Sequence, residues 1–189
     1  MTSGAETPGT GRGTPGSRGR AMGTSVFSLM AVGILVLDQL SKLVVIRSLG
    51  LGQSVPVIPG LFNLVYVQNP GAAFGFLASL PEGVRSPFFI LISVTAAVLI
   101  IMYHARHLRS QVLPSLALGM ILGGAIGNLI DRLRYGMVID FLDFYLDRYH
   151  WPAFNVADSA ISVGVGLMVL GMLVEWWRER GVEDGRRET

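Results

Sequence analysis

The chain contains no cysteine, which removes disulfide frameworks, thiol nucleophiles, thiolate metal sites and iron–sulfur clusters together, on whichever side of a membrane it lies. Charge is scarce: 15% of the 189 residues are charged, against about 25% in an ordinary soluble domain. Lysine is nearly missing, since of 15 basic residues only Lys42 is not an arginine. The arginines sit at the ends of apolar runs rather than on one face between aromatics, so no nucleic acid is expected as a partner. Any chemistry must use carboxylates, hydroxyls, histidine or backbone.

Apolar residues, by contrast, make up 51% of the chain, and its mean hydropathy is +0.53. The apolar positions are gathered into long runs, the arrangement a bilayer selects, and this excludes a soluble enzyme. Residues 1–24 hold seven glycines, two prolines and three arginines; such a segment cannot bury enough apolar surface to offset its ordering entropy and is expected to be a disordered tail. The run after it is too long, and too charged at Asp38 and Lys42, for a cleavable signal. Four spans are predicted, over 26–46, 87–103, 112–130 and 156–177, within a membrane domain of 25–177 followed by a tail of 178–189.

Nine arginines fall in the N-terminal tail, the 104–111 loop and the stretch after Glu175, whereas Arg47, Arg85, Arg132, Arg134 and Arg148 fall on the other side. The positive-inside rule therefore predicts cytoplasmic termini. On the outer side, Gln53 to Gln68 alternates β-branched and aromatic residues around Ile58-Pro59-Gly60, the pattern of a hairpin, so a small β cradle is expected over about 50–80. The segment 141–154 mixes Phe141, Phe144, Tyr145, Tyr149 and Trp151 with Asp143, Asp147, Arg148 and His150; it is expected to lie in the headgroup layer and to shield or gate something. Gly119, Gly123 and Gly127 in the third span, and the pairs Ala160/Gly164 and Ser162/Gly166 in the fourth, read as close helix packing rather than as a nucleotide loop.

Ionisable groups at membrane depth each need a partner or a purpose. Asp38 and Lys42, four apart, share a helix face; they either fix this helix in the bundle or help to hold substrate. Asn128, Asp131 and Arg132 share another face, where Asp131 either caps the span and pairs locally or takes part in the chemistry. Arg132 and Asn128 suit a carbonyl, a phosphate or a peptide backbone. Asp140 is a lone acid in an apolar stretch, and Asn155, Asp158, Ser159 and Ser162 form a polar stripe in which Asp158 is either a cap or a reactive group.

Two aspartates sharing a proton can hydrolyse an amide without a metal or a covalent intermediate. Spacing alone does not choose the pair among Asp131, Asp140, Asp143 and Asp158. His104 and His107 have metal-ligand spacing but sit beside arginines at a helix end, so they are expected to be solvated and no zinc is expected. There is neither a Gly-x-Ser-x-Gly elbow nor a His-Glu-x-x-His helix.

Five motifs occur in one order: Asp38-Gln39-Leu40-Ser41-Lys42, Asn69-Pro70-Gly71-Ala72-Ala73-Phe74-Gly75, Gly127-Asn128-Leu129-Ile130-Asp131-Arg132, Gly136-Met137-Val138-Ile139-Asp140-Phe141 and Phe154-Asn155-Val156-Ala157-Asp158-Ser159. From about Val36 to Ile161 the chain resembles lipoprotein signal peptidase (signal peptidase II), an aspartic peptidase family of the bacterial inner membrane. The resemblance implies four transmembrane helices with a small outer β-sheet cradle and a short outer helix. It implies cleavage of diacylglyceryl-modified prolipoproteins immediately before the lipidated cysteine, near the outer face, with no cofactor, and inhibition by globomycin-type peptides. It puts the catalytic aspartates at Asp140 and Asp158 and supporting residues at Asp38, Lys42, Asn69, Asn128, Asp131, Arg132 and Asn155. A small ion-coupled transporter would also carry buried acids and Arg132, but it would place them at the bilayer midplane, with an internal repeat. A purely structural membrane subunit would leave the Asn155, Asp158 and Ser159 stripe without a purpose.

Overall fold

The computed structural model describes residues 17–71, 77 and 79–187. Helix α1 spans Ser17–Ser48, strands β1 and β2 span Ser54–Ile58 and Phe62–Asn69, and helix α2 spans Glu82–Tyr103. A π-helical turn over His104–Leu108 leads to α3, Val112–Tyr135, then to β3 (Val138–Leu146), β4 (Tyr149–His150) and α4 (Val156–Arg187). All four helices are long and apolar enough to cross a membrane. Their outward faces carry large apolar side chains such as Leu29, Leu91, Leu99 and Met172, each more than half exposed, a surface suited to lipid and not to water.

The helices outrun the expected spans. Residues 17–24, assigned to the N-terminal tail, begin α1, and α4 continues through most of 178–189; an apolar run that has nucleated a helix extends it at little cost until a breaker intervenes, and the nearest upstream proline is Pro15. Helix α2 starts at Glu82 and carries Pro87 inside it, in the second turn, where the Gly83 carbonyl goes without an i+4 donor. The rest of the expected tail, residues 1–16, lies outside the described residues, as do Ala72, Ala73, Phe74 and Gly75 of the cradle.

Helix α3 is the central and most enclosed helix, because its glycines admit neighbouring backbones. A Cβ on Gly119 would stand 2.6 Å from the Phe27 carbonyl oxygen, and one on Gly123 would stand 2.5 Å from that of Ala31, both on α1. On the α4 side, Gly124 meets the Ala157 carbonyl and Gly164 meets that of Ala117. The small-residue reading fails at Gly166, which faces open space.

The strands form one antiparallel sheet in the order β1-β2-β3-β4. Between β1 and β2 the Leu61 N–H donates to the Ile58 carbonyl at 3.0 Å, and Gly60 takes φ +82°; Pro59 then Gly60 is the residue order a type II turn requires. At the end of α3, Gly136 adopts φ +72°, so β3 can start two residues later. Register pairs Val67 with Asp140 and Asn69 with Val138.

The segment 141–154 is part of the sheet. It holds most of β3, all of β4 and a bridge from Leu142 to Phe154, and among the described residues no short outer helix accompanies the sheet. Phe144 stacks on Phe62 of β2 and on Phe154, and the β2 edge pairs with β3 from Asn69–Val138 to Phe62–Phe144, cross-strand contacts of the kind that hold a ladder together.

Candidate active site

Site geometry starts from α1, where four-residue spacing stacks Asp38 and Lys42. The Lys42 Nζ donates to Asp38 Oδ2 at 2.8 Å and to Asn128 Oδ1 at 3.0 Å, and it lies 2.7 Å from Asp131 Oδ2. The three charged residues are 0 to 2% exposed. One ammonium thus serves two carboxylates on two helices, and backbone N–H groups complete them: Ala157 donates to Asp38 Oδ1 at 2.9 Å and Ile139 to Asp131 Oδ2 at 3.2 Å. Gln39, which sequence reasoning passed over, donates to Asp131 Oδ1 at 3.0 Å; its only signal was its place beside Asp38. Asp131 therefore joins α1, α3 and β3 and is not paired with Arg132. These groups tie α1, α3, β3 and α4 together beneath the sheet and do not reach the adjoining cavity.

Above them Asn128 and Asn155 relay the network outward. The Asn128 amide donates from Nδ2 to Asp158 Oδ1 at 2.8 Å, while its Oδ1 is oriented by Lys42. Asn155, fully buried, donates from Nδ2 to Asp140 Oδ1 at 2.8 Å, with Asn128 Oδ1 and the Ile139 carbonyl each 3.2 Å away. Asn155 also caps α4: its Oδ1 accepts from the Asp158 N–H at 2.9 Å, and Asp158 Oδ2 accepts from the Asn155 N–H at 3.3 Å, a reciprocal capping box. Asp158 is thus a cap and is also turned toward Asn128. From β2, Asn69 donates to Asp140 Oδ2 at 3.0 Å.

Asp140 and Asp158 line one cavity of about 540 Å³ together with Asn69, Asn128, Arg132 and Ser159, walled by Trp151 to Phe154. Burial pushes the Asp140 carboxyl up to about 7; the nearby Asp158 adds to the rise, and the Asn69 and Asn155 hydrogen bonds oppose it. Arg132 reaches the Gly71 carbonyl at 3.3 Å and lies over the Phe89 ring at 5.0 Å, and no described carboxylate lies within ion-pair distance of it. Among the described residues its donors meet only the long Asn128 and Gly71 carbonyl contacts at the cavity's edge.

Two other acids are committed elsewhere. Asp131 belongs to the lysine cluster, and Asp143 accepts from Asn63 at 2.8 Å and pairs with His150 at 2.9 Å in the sheet. His104 also departs from expectation: it is buried, stacked on Phe27 at 4.0 Å and 3.0 Å from Ser115 Oγ. A helix-end pattern cannot reveal that α1 closes over it. His107 remains exposed.

The profile for Signal peptidase (SPase) II matches residues 30–174. The lipoprotein signal peptidase of Geobacter sulfurreducens is 52% identical over 150 residues, covering 79% of this chain and 92% of that protein. That of Syntrophus aciditrophicus is 49% identical over 148 residues, covering 78% and 92%. Among solved structures, a bacterial membrane enzyme determined by the in meso method at 2.3 Å resolution superposes with a TM-score of 0.73 at 30% identity, over 80% of this chain and 89% of that one. Another, at 1.9 Å resolution, gives 0.71 at 29% identity, over 79% and 93%. Four apolar helices packed around this polar cluster, and the matches across them, make the protein a multi-pass membrane peptidase: the chain belongs to the signal peptidase II family.

Proposed function

We propose that this peptidase removes signal peptides from diacylglyceryl-modified prolipoproteins, cutting immediately before the lipidated cysteine by an aspartic mechanism at Asp140 and Asp158. The observation that carries the reading is that two carboxylates from separate elements line one cavity, each aimed by an asparagine amide. Their proximity and burial suit a pair that holds one proton between them at neutral pH. One carboxylate takes a proton from water as its oxygen attacks the scissile carbonyl carbon, and the other protonates the carbonyl oxygen. Collapse of the tetrahedral species breaks the C–N bond as the carboxyl that took the water's proton passes it to the leaving nitrogen, and the other carboxylate takes back the hydroxyl proton. Arg132 and Asn128 hold the peptide backbone, Asn69 and Asn155 orient Asp140, and Asp38, Lys42 and Asp131 hold the helices beneath.

The acyl chains of the substrate partition between the helices, so selection rests largely on the lipid anchor, and globomycin-type peptides compete for the same cavity. The protein is placed in the bacterial inner membrane with cytoplasmic termini and the site near the outer face. A transporter is not favoured, since the acids gather at the sheet end of the bundle instead of its middle. The test is incubation of purified protein with a prolipoprotein in lipidated and unlipidated forms, followed by N-terminal mapping of the product. Cleavage of the lipidated form alone, leaving the modified cysteine first, supports the reading. Equal cleavage of both forms, or a cut elsewhere, overturns it.

A further inference from the structure

We propose that a pocket at the opposite end of the bundle binds the phosphate of an anionic phospholipid headgroup. Arg20 of α1 faces Arg106, His107 and Arg109 of the turn between α2 and α3 across a pocket of about 270 Å³ that also includes Ser110. Among the described residues no carboxylate pairs with any of the three arginines. Three guanidiniums that no described carboxylate neutralises, gathered around one concavity, form a site for an anion with several acceptor oxygens.

The cluster is held in place by the fold. Helix α1 meets the turn at Gly23, where an added Cβ would collide with the Arg109 carbonyl. The turn itself is fixed by Ser115 Oγ, which donates to the Leu108 carbonyl at 2.9 Å and contacts buried His104. The local π-helical winding over His104–Leu108 puts Arg106 and Arg109 on the same pocket.

Depth points to a lipid. Arg20 precedes Asp38 by 18 residues in α1, and Trp176 follows Asp158 by 18 in α4; each separation is a rise of about 27 Å, close to the ~30 Å hydrocarbon thickness. Exposed Trp176, Trp177 and Tyr103 therefore share a level with the pocket, as an aromatic belt does, and Arg180 lies over the Trp176 ring at 4.0 Å. The substrate's own positively charged n-region is repelled by this pocket, which leaves a headgroup phosphate as the fitting occupant.

The test uses full-length protein stripped of lipid in uncharged detergent, with retention of phosphatidylglycerol and phosphatidylcholine followed by native mass spectrometry. Phosphatidylglycerol is expected to bind at least about tenfold more tightly, and R106Q/R109Q to weaken it about thirtyfold. The control R47Q/R148Q, which removes two exposed charges at the other interface, is expected to leave binding unchanged. Equal retention of the two lipids, or by R106Q/R109Q and wild type, overturns the proposal. Displacement of phosphatidylglycerol by millimolar inorganic phosphate overturns the lipid assignment. Unfolding in lipid-free detergent checks that the variants are folded, and R20Q replaces the double variant if it is not.

Discussion

Lys42→Met separates the two readings of the Asp38 and Lys42 pair. Methionine keeps most of the stem volume but removes the one cation between Asp38 Oδ2 at 2.8 Å and Asp131 Oδ2 at 2.7 Å. Both carboxylates are at most 1% exposed, so water cannot replace the ammonium. Removing one partner of a buried ion pair costs about 3 to 5 kcal/mol, and with two carboxylates stranded the upper end of that range is expected. The triple variant D38N/K42M/D131N removes the charges together and keeps amide oxygens for the Ala157 and Ile139 N–H donors, so it should recover more than half of the loss. Unfolding in mixed micelles with rising dodecyl sulfate, followed by far-UV circular dichroism, measures both variants. If K42M unfolds within about 1 kcal/mol of wild type while KM for substrate rises sharply, the pair holds substrate and the bundle-locking account is refuted.

Further expectations concern pH, packing and substrate binding. The Asp140 carboxyl is raised from 3.8 to about 7, so between those values the native state binds more protons than the unfolded chain; relative to Asp140→Asn, wild type is most stable below about pH 4 and loses about 4 kcal/mol as pH rises through 7. Comparing the two unfolding curves across pH checks this, since the hydrogen bond that the asparagine disturbs is a pH-independent offset, and a flat difference would contradict the shift. Cleavage should decline above about pH 7 as the shared proton is lost, which a pH–rate profile reads. Gly123→Ala meets the Ala31 carbonyl at 2.5 Å and should destabilise by about 1 to 3 kcal/mol, whereas Gly166→Ala faces open space and should be neutral or stabilising by up to about 1 kcal/mol; equal effects on thermal unfolding would contradict the packing. Arg132→Ala removes a charged donor from the cavity and should lower kcat/KM about ten- to a hundredfold, so undiminished hydrolysis would remove Arg132 from substrate binding.

The four helices were legible because a bilayer imposes run length directly on sequence, and the Gly119 and Gly123 stripe because close backbone approach admits almost no other residue. The hairpin was legible from Pro59 and Gly60, which encode their own turn. What pairs across distance was not. Residue spacing left Asp131, Asp140, Asp143 and Asp158 equivalent, and the Gly136 turn with the β2–β3 register separates them: it sends Asp140 to Asn69 and the cavity, and Asp143 to Asn63 and His150. Asparagine amides were the least readable component, since Asn128 and Asn155 orient the network through partners 15 to 86 positions away. The strands within 141–154 escaped notice because aromatics mixed with charge read as a segment in the headgroup layer, and strand pairing emerges only once a partner edge is supplied. His104 failed for a related reason, as its cover comes from Phe27 on another helix.

The most direct measurement of the central claim is cleavage of a diacylglyceryl-modified prolipoprotein by purified wild type, Asp140→Asn and Asp158→Asn, at matched folding and expression, read by gel shift. The dyad predicts processing by wild type and none by either variant. Processing by either variant would contradict the dyad, and failure of folded wild type to process the substrate would contradict the assigned activity.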